Sequence, residues 1–178
     1  MTVASWAVAG VNRGPVENLA ADTEILGMLA SMSFDDLPSN WPDLPLDSPS
    51  LAADVADLVV GVGDRVGGCV GLVLTGDDLT MGQPAVVSDV DDSVDPDEFR
   101  PFLVQLCSMV GETGGALLFV RGRDGSVLFT DTDRRWHQVA LDACRLAGIP
   151  LVGAFLATPA AVRSFPEPPD SAVGDLAS

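Results

Sequence analysis

Lysine is missing from these 178 residues: all nine basic side chains are arginine, set against 26 acids for a formal net charge of −17. A chain so poor in positive charge has no basic face with which to neutralise phosphates, which excludes general DNA or RNA binding. The same shortage disfavours an anionic membrane surface. The charge would permit an acidic protein that imitates nucleic acid, but its carboxylates follow no regular spacing. Long apolar runs are lacking too, and none approaches the roughly 18 residues of a membrane span. The opening MTVASWAVAGVNRG has no basic n-region, and its apolar run is too short for a signal peptide. Cysteine is scarce and unpaired in sequence: Cys69, Cys107 and Cys144 never form C-x-x-C, and each sits in an apolar segment. They read as three reduced core thiols, which fits a cytoplasmic protein.

Familiar catalytic patterns are also absent. There is no G-x-S-x-G, Walker loop or dinucleotide glycine fingerprint. Gly61-Val62-Gly63 sits at a helix end rather than after a strand, so it is no phosphate cradle. The one histidine, His137, follows Asp133 at i, i+4 like an orienting pair, yet no serine or cysteine nucleophile can be placed beside them. Six acids crowd Asp89–Glu98, but without the glycine and glutamate that an EF-hand loop requires.

What is present is a globular composition, 47% hydrophobic and 20% charged, long enough for one well-buried core. Residues 1–49 read as a short helix over 18–32 followed by a Pro-rich acidic arm, where Pro38, Pro42, Pro45 and Pro49 exclude helix and regular strand. Trp41 and Phe34 in that arm are suited to anchoring it on its own domain, or to meeting a partner. A single α/β domain is expected over residues 50–165, and an acidic, disordered tail over 166–178. Within the domain, Ser50 can cap a continuous helix to Val66, with Leu51, Val55, Leu58, Val59 and Val62 in one stripe. Cys69–Thr75 and Pro84–Val90 read as an antiparallel strand pair. Asp95, Pro96 and Glu98 form a capped helix start, and Phe99, Phe102, Leu103, Leu106, Met109 and Val110 make its core face.

The richest stretch is Gly114–Thr158: an apolar strand at Ala116–Val120, an arginine-bearing turn, a helix opened by Thr130 or Asp131, a C′ glycine at Gly148, and a strand at Ile149–Ala157. That helix should bury Trp136, Val139, Ala140, Ala143 and Leu146. Thr158–Phe165 has room for a last helical turn. Arg121, Arg123, Arg134 and Arg135 fall within fifteen positions of a strongly acidic chain. Free amides at the helix start, with Thr130 as cap, and forked guanidiniums from Arg121, Arg123 and Arg134 could hold a small anion. The competing reading is a β-hairpin turning at Asp124-Gly125 between LLFVRGR and SVLFT, its arginines solvent-facing. On that reading, loss of both Arg121 and Arg123 leaves the fold intact.

The element order and several local matches resemble the JAB/MPN domain, in particular its RadC-like branch. The matching text is VDPDEFRPFLVQLCSMVGETGGALLFV, then RGRDGS, TDTD and LAGIPLVGAFLA, over roughly Cys69 to Thr158. The resemblance implies a three-layer α/β (α+β) fold with a mixed central sheet between helices. It sets Arg121 and Arg123 where the family's H-x-H-P-S-G loop has its two histidine ligands, with Asp124-Gly125 for the proline-serine. Thr130 and Asp133 match the S-x-x-D, in a loop one residue shorter. Guanidiniums are permanently protonated and cannot ligate zinc. The resemblance therefore implies a metal-free, degenerate member without cofactor: a pseudoenzyme that binds a protein partner. The alternative is a sensor or enzyme for a phosphorylated or carboxylated ligand at the arginine turn.

Overall fold

The computed structural model describes residues 39–167; the helix expected over 18–32, Phe34 and the tail beyond 167 lie outside them. In chain order the elements are α1 (Pro49–Val59), α2 (Val62–Gly67), β1 (Cys69–Thr75), β2 (Met81–Ser88), α3 (Pro96–Gly111), β3 (Leu117–Gly122), α4 (Asp131–Ala147), β4 (Leu151–Ala157) and β5 (Val162–Ser164), after a 3-10 turn at Trp41–Asp43. The strands form one open mixed sheet of order β2-β1-β3-β4-β5. Only the β3–β4 pair is parallel, joined through α4. The architecture is the expected three-layer α/β sandwich.

Alternation along the central strands decides which layer each side chain joins. Val70, Leu72, Leu117, Phe119 and Leu156 face α3 and α4, in the larger core with Leu103, Trp136, Val139 and Ala140. Cys69, Val73, Leu118, Val120 and Phe155 face the opposite layer, with Leu51, Val55 and Val60 of α1. Fully burying one such aliphatic or aromatic side chain stabilises by about 1.5–3 kcal/mol. The arm reaches this second core: Leu46 is completely buried, and Trp41 and Leu44 pack beside it. Its backbone is held as well, by Leu46 N–H donating to Leu79 O.

The edge strand β2 carries Pro84 opposite Val73. Thr75 N–H donates to Ala116 O, which sets the alternation so that Val73 hydrogen-bonds toward β3 and the backbone of Pro84 faces outward. The missing donor therefore falls on the open edge, where it costs no ladder bond and discourages further strand pairing.

Four local expectations change. The first helix has Ser48, not Ser50, at its N-cap and Pro49 as its first residue, and it breaks after Val59: Gly61 is extended, and the buried Arg65 takes Val60 O at 2.8 Å and Thr158 O at 3.0 Å. Val62 and Val66 consequently stand 58% exposed. Leu146 and Met109 lie on the solvent sides of α4 and α3 rather than in the core. Residues 162–164 pair with β4 instead of turning into a helix, after a turn in which Thr158 N–H donates to Ala161 O. The proposed hairpin at Asp124-Gly125 does not form. Both sides of β3 are taken, by β1 and β4, so a returning SVLFT strand would have no edge to join. Gly125 still adopts φ 90°, the left-handed turn position that glycine suits.

Candidate functional site

The helix-facing side of β3 runs Leu117, Phe119, Arg121, and Arg123 just beyond it, so two apolar residues give way to two arginines at the strand's carboxyl end. Both guanidiniums are buried. This overturns the view of them as solvent-facing, which was the ground for expecting that removing both leaves the fold intact.

Arg121 lies between the sheet and the loop before α3. Its Nη1 donates to Val90 O at 2.7 Å and Cys69 O at 3.1 Å, and Nη2 to Asp92 Oδ1 at 3.2 Å. The head also rests against the Trp136 ring, 5.4 Å from its centroid. Asp92 is 67% exposed, so the one carboxylate hydrogen-bonded to this buried cation is largely solvated, with Asp133 adding a longer-range attraction. Burial pulls the Arg121 pKa down from its ordinary value against the opposing pull of Asp92. Arg121 Nε and the nearby Trp136 Nε1 have no hydrogen-bond acceptor among the described residues, and each orphan of this kind costs about 1–3 kcal/mol.

Arg123 meets a different environment. Its Nε and Nη2 clasp both oxygens of Asp133 at 2.8–3.1 Å, and the remaining donors go to Asp124 O at 2.8 Å and Leu128 O at 2.9 Å. The Asp124–Leu128 loop is wound round this head. Asp133 is fully buried, yet it also closes the capping box: Asp133 N–H donates to Thr130 Oγ1, and Thr130 N–H to Asp133 Oδ2. Burial pushes Asp133 upward, but Arg123 and the Thr130 amide outweigh it and hold the carboxyl below the usual carboxylate range. Arg123 is raised in turn, chiefly by its bonds to Asp133.

Of the four residues named for an anion, the fold brings Arg123 and Thr130 together through Asp133. Arg121 points beneath α4 toward Trp136, and Arg134 is 61% exposed, paired with Asp131 at 2.8 Å. They do not converge on a concavity. The positive end of α4 is filled by the chain's own Asp133, and Asp131 stands in the same turn. An external anion would have to displace a buried carboxylate.

A zinc ion does not suit this position either. Two of the would-be ligands are guanidiniums already donating to carbonyls and carboxylates, and Asp133 is saturated by Arg123 and Thr130. Among the described residues no three His, Cys, Asp or Glu side chains are gathered as a metal site. The Asp133–His137 pair is not assembled: Asp133 faces Arg123, while the His137 ring stacks on Phe165 with centroids 4.6 Å apart. That desolvation lowers the His137 pKa. Phe165 stacks in turn on Phe129, 4.5 Å away, and Arg163 covers Phe129.

Sequence reasoning missed the partner of each of these arginines: the capping box set Thr130 against Asp133 but did not pair Asp133 with Arg123. It also passed over Arg65, whose Nη2 reaches Asp57 at 2.8 Å. The available signal was a basic residue just past the end of α1, where orphan carbonyls attract cations. Comparison with family models, with curated proteins and with solved structures finds no match.

Proposed function

We propose that the chain is a non-catalytic binding or regulatory module for a protein partner, on a JAB/MPN-like core in which structural arginines occupy the metal-ligand positions. The single observation that carries the reading is the fate of Arg121 and Arg123. Both point to the helix-facing side of the sheet at the carboxyl end of β3, but only Arg123 reaches Asp133 at the start of α4, while Arg121 turns to the loop before α3 and to Trp136. Instead of lining an open site, their guanidiniums are bonded to Asp133, Asp92 and four backbone carbonyls, with Arg121 Nε alone left over. Chemistry at this point is replaced by cross-bracing between β3, the loop before α3 and the first turn of α4. The anion-sensor alternative would need those braces to open.

The test is thermal unfolding of the full chain against zinc, inorganic phosphate, ATP and acetate, with zinc content measured on the same sample. The expected result is an unchanged midpoint with every additive and no stoichiometric zinc. A phosphate- or ATP-dependent rise that disappears in Arg134→Ala would replace this reading with the sensor. One tightly held zinc per chain would overturn the metal-free assignment.

A further inference from the structure

Two of the three cysteines belong together in space. Cys107 lies on α3 and Cys144 on α4, 37 positions apart in sequence, with their sulfurs 4.0 Å apart inside the larger core. The helices are parallel neighbours, as shown by Arg135 reaching Asp97 at one end and Arg100 reaching Asp142 further along. Cys69 sits on the opposite face of the sheet, in the other core.

We propose that Cys107 and Cys144 are a redox modification site, a dithiol that closes to a disulfide between α3 and α4 when the protein meets a peroxide. A disulfide has sulfurs about 2.05 Å apart, so closure needs the pair to approach by roughly 2 Å. Rotation of two side chains on adjacent helices can supply much of this movement. The first step is attack of the Cys107 thiolate on one peroxide oxygen. The O–O bond breaks, hydroxide leaves and takes up a proton as water, and Cys107 becomes a sulfenic acid. Cys144 sulfur then attacks the Cys107 sulfur, the S–O bond breaks, and a second water departs. In sum, two thiols and one hydrogen peroxide give one disulfide and two waters. A dithiol reductant reverses the change by exchange.

The roles follow from the contact between the two sulfurs. The hydrogen-bonding contact between the two sulfurs holds the Cys107 thiol below its ordinary pKa against the opposing effect of burial, and pushes Cys144 upward. Burial pushes Cys69 up to about 11, which leaves the third thiol the poorer nucleophile. Both sulfurs are buried, so peroxide reaches Cys107 only when the C-terminal turns of α3 and α4, which carry the pair, open locally. Helix ends of this kind open locally at low cost.

The test treats the folded full chain with hydrogen peroxide, then denatures it, alkylates the remaining thiols and maps the peptides by mass spectrometry. The expected outcome is one alkylated cysteine, Cys69, with a Cys107–Cys144 cross-linked peptide that dithiothreitol abolishes. Cys69→Ser should leave the cross-link intact, and Cys107→Ser should remove it. Three alkylatable thiols after peroxide treatment would overturn the proposal. So would linkage through Cys69, or a cross-link that forms only when urea is present during oxidation. Because the decisive comparison uses the unsubstituted chain, poor folding of a cysteine variant does not obscure the result.

Discussion

Arg121 in β3 and Arg123 just past its end lie two residues apart and point to the same layer, yet the regions that receive them solve the burial of a cation differently. Around Arg123 the counter-charge is buried with it. Asp133 offers both oxygens, and the surrounding loop supplies carbonyls at 2.8 and 2.9 Å. Around Arg121 the counter-charge remains in water, because Asp92 is 67% exposed. There the head is held by two carbonyls and the face of Trp136, with Nε left over. The pKa directions express the contrast: Arg123 is raised by Asp133, and Arg121 is lowered by desolvation. A closed ion pair is costly to break because the abandoned partner is buried. An arginine set against a solvated carboxylate is less so, since removing it strands mainly neutral groups.

The largest effect is therefore expected from Asp133→Ala. It isolates the buried Arg123 and opens the α4 capping box at once, for a loss of about 3–5 kcal/mol. Urea unfolding would measure it, and the melting midpoint should fall by roughly 10 °C. Acid approaches the same break without mutation. The folded carboxyl lies below its unfolded value, so this stabilisation is full above pH of about 4 and is lost as pH falls through the folded pKa. Asp133→Asn should flatten that part of the pH–stability curve. An Asp133→Ala protein as stable as wild type would erase the distinction between the two regions.

Arg121→Met comes next. Its apolar replacement fills the volume under Trp136 and removes an orphan N–H, but Val90 O and Cys69 O lose a donor, for a net cost of about 1–3 kcal/mol. Measured beside Asp133→Ala in the same denaturant series, it should be clearly the milder change, and the reverse order would show Asp92 to be the stronger counter-charge. Thr130→Ala removes one half of the capping box and should cost about 1 kcal/mol.

Two smaller effects sharpen the contrast with the surface. His137 is desolvated against Phe165, so its folded pKa lies below the unfolded value of about 6.5. Stability should decline as pH falls below that unfolded value, because the unfolded chain binds the proton more readily. His137→Phe should remove the decline, as read from urea midpoints at pH 7 and pH 5. Arg134→Ala breaks only an exposed pair with Asp131 and should stay within about 0.5 kcal/mol in the same assay.

The local signals of sequence and the fold agree where the deciding chemistry is short-ranged. Asp95 caps α3 with Pro96 behind it, Thr130 and Asp133 box the start of α4, and Gly148 ends it at φ 69°. Each depends on residues within about four positions, so sequence alone determined these boundaries, along with β1 and the three unpaired thiols. The order of short apolar runs and amphipathic helices likewise pointed to a sheet packed between helices.

Tertiary structure decided the rest. Asp124-Gly125 has the composition of a hairpin turn, but a hairpin needs a free strand edge, and β1 and β4 occupy both sides of β3. Arg121 and Arg123 look like surface charge because burial depends on the strand's carboxyl end passing beneath the first turns of α3 and α4. Asp92 lies 29 positions before Arg121, and Cys144 lies 37 after Cys107. No periodicity spans such separations. A side chain's partners are fixed by which elements pack together, and that depends on the burial of the whole chain at once.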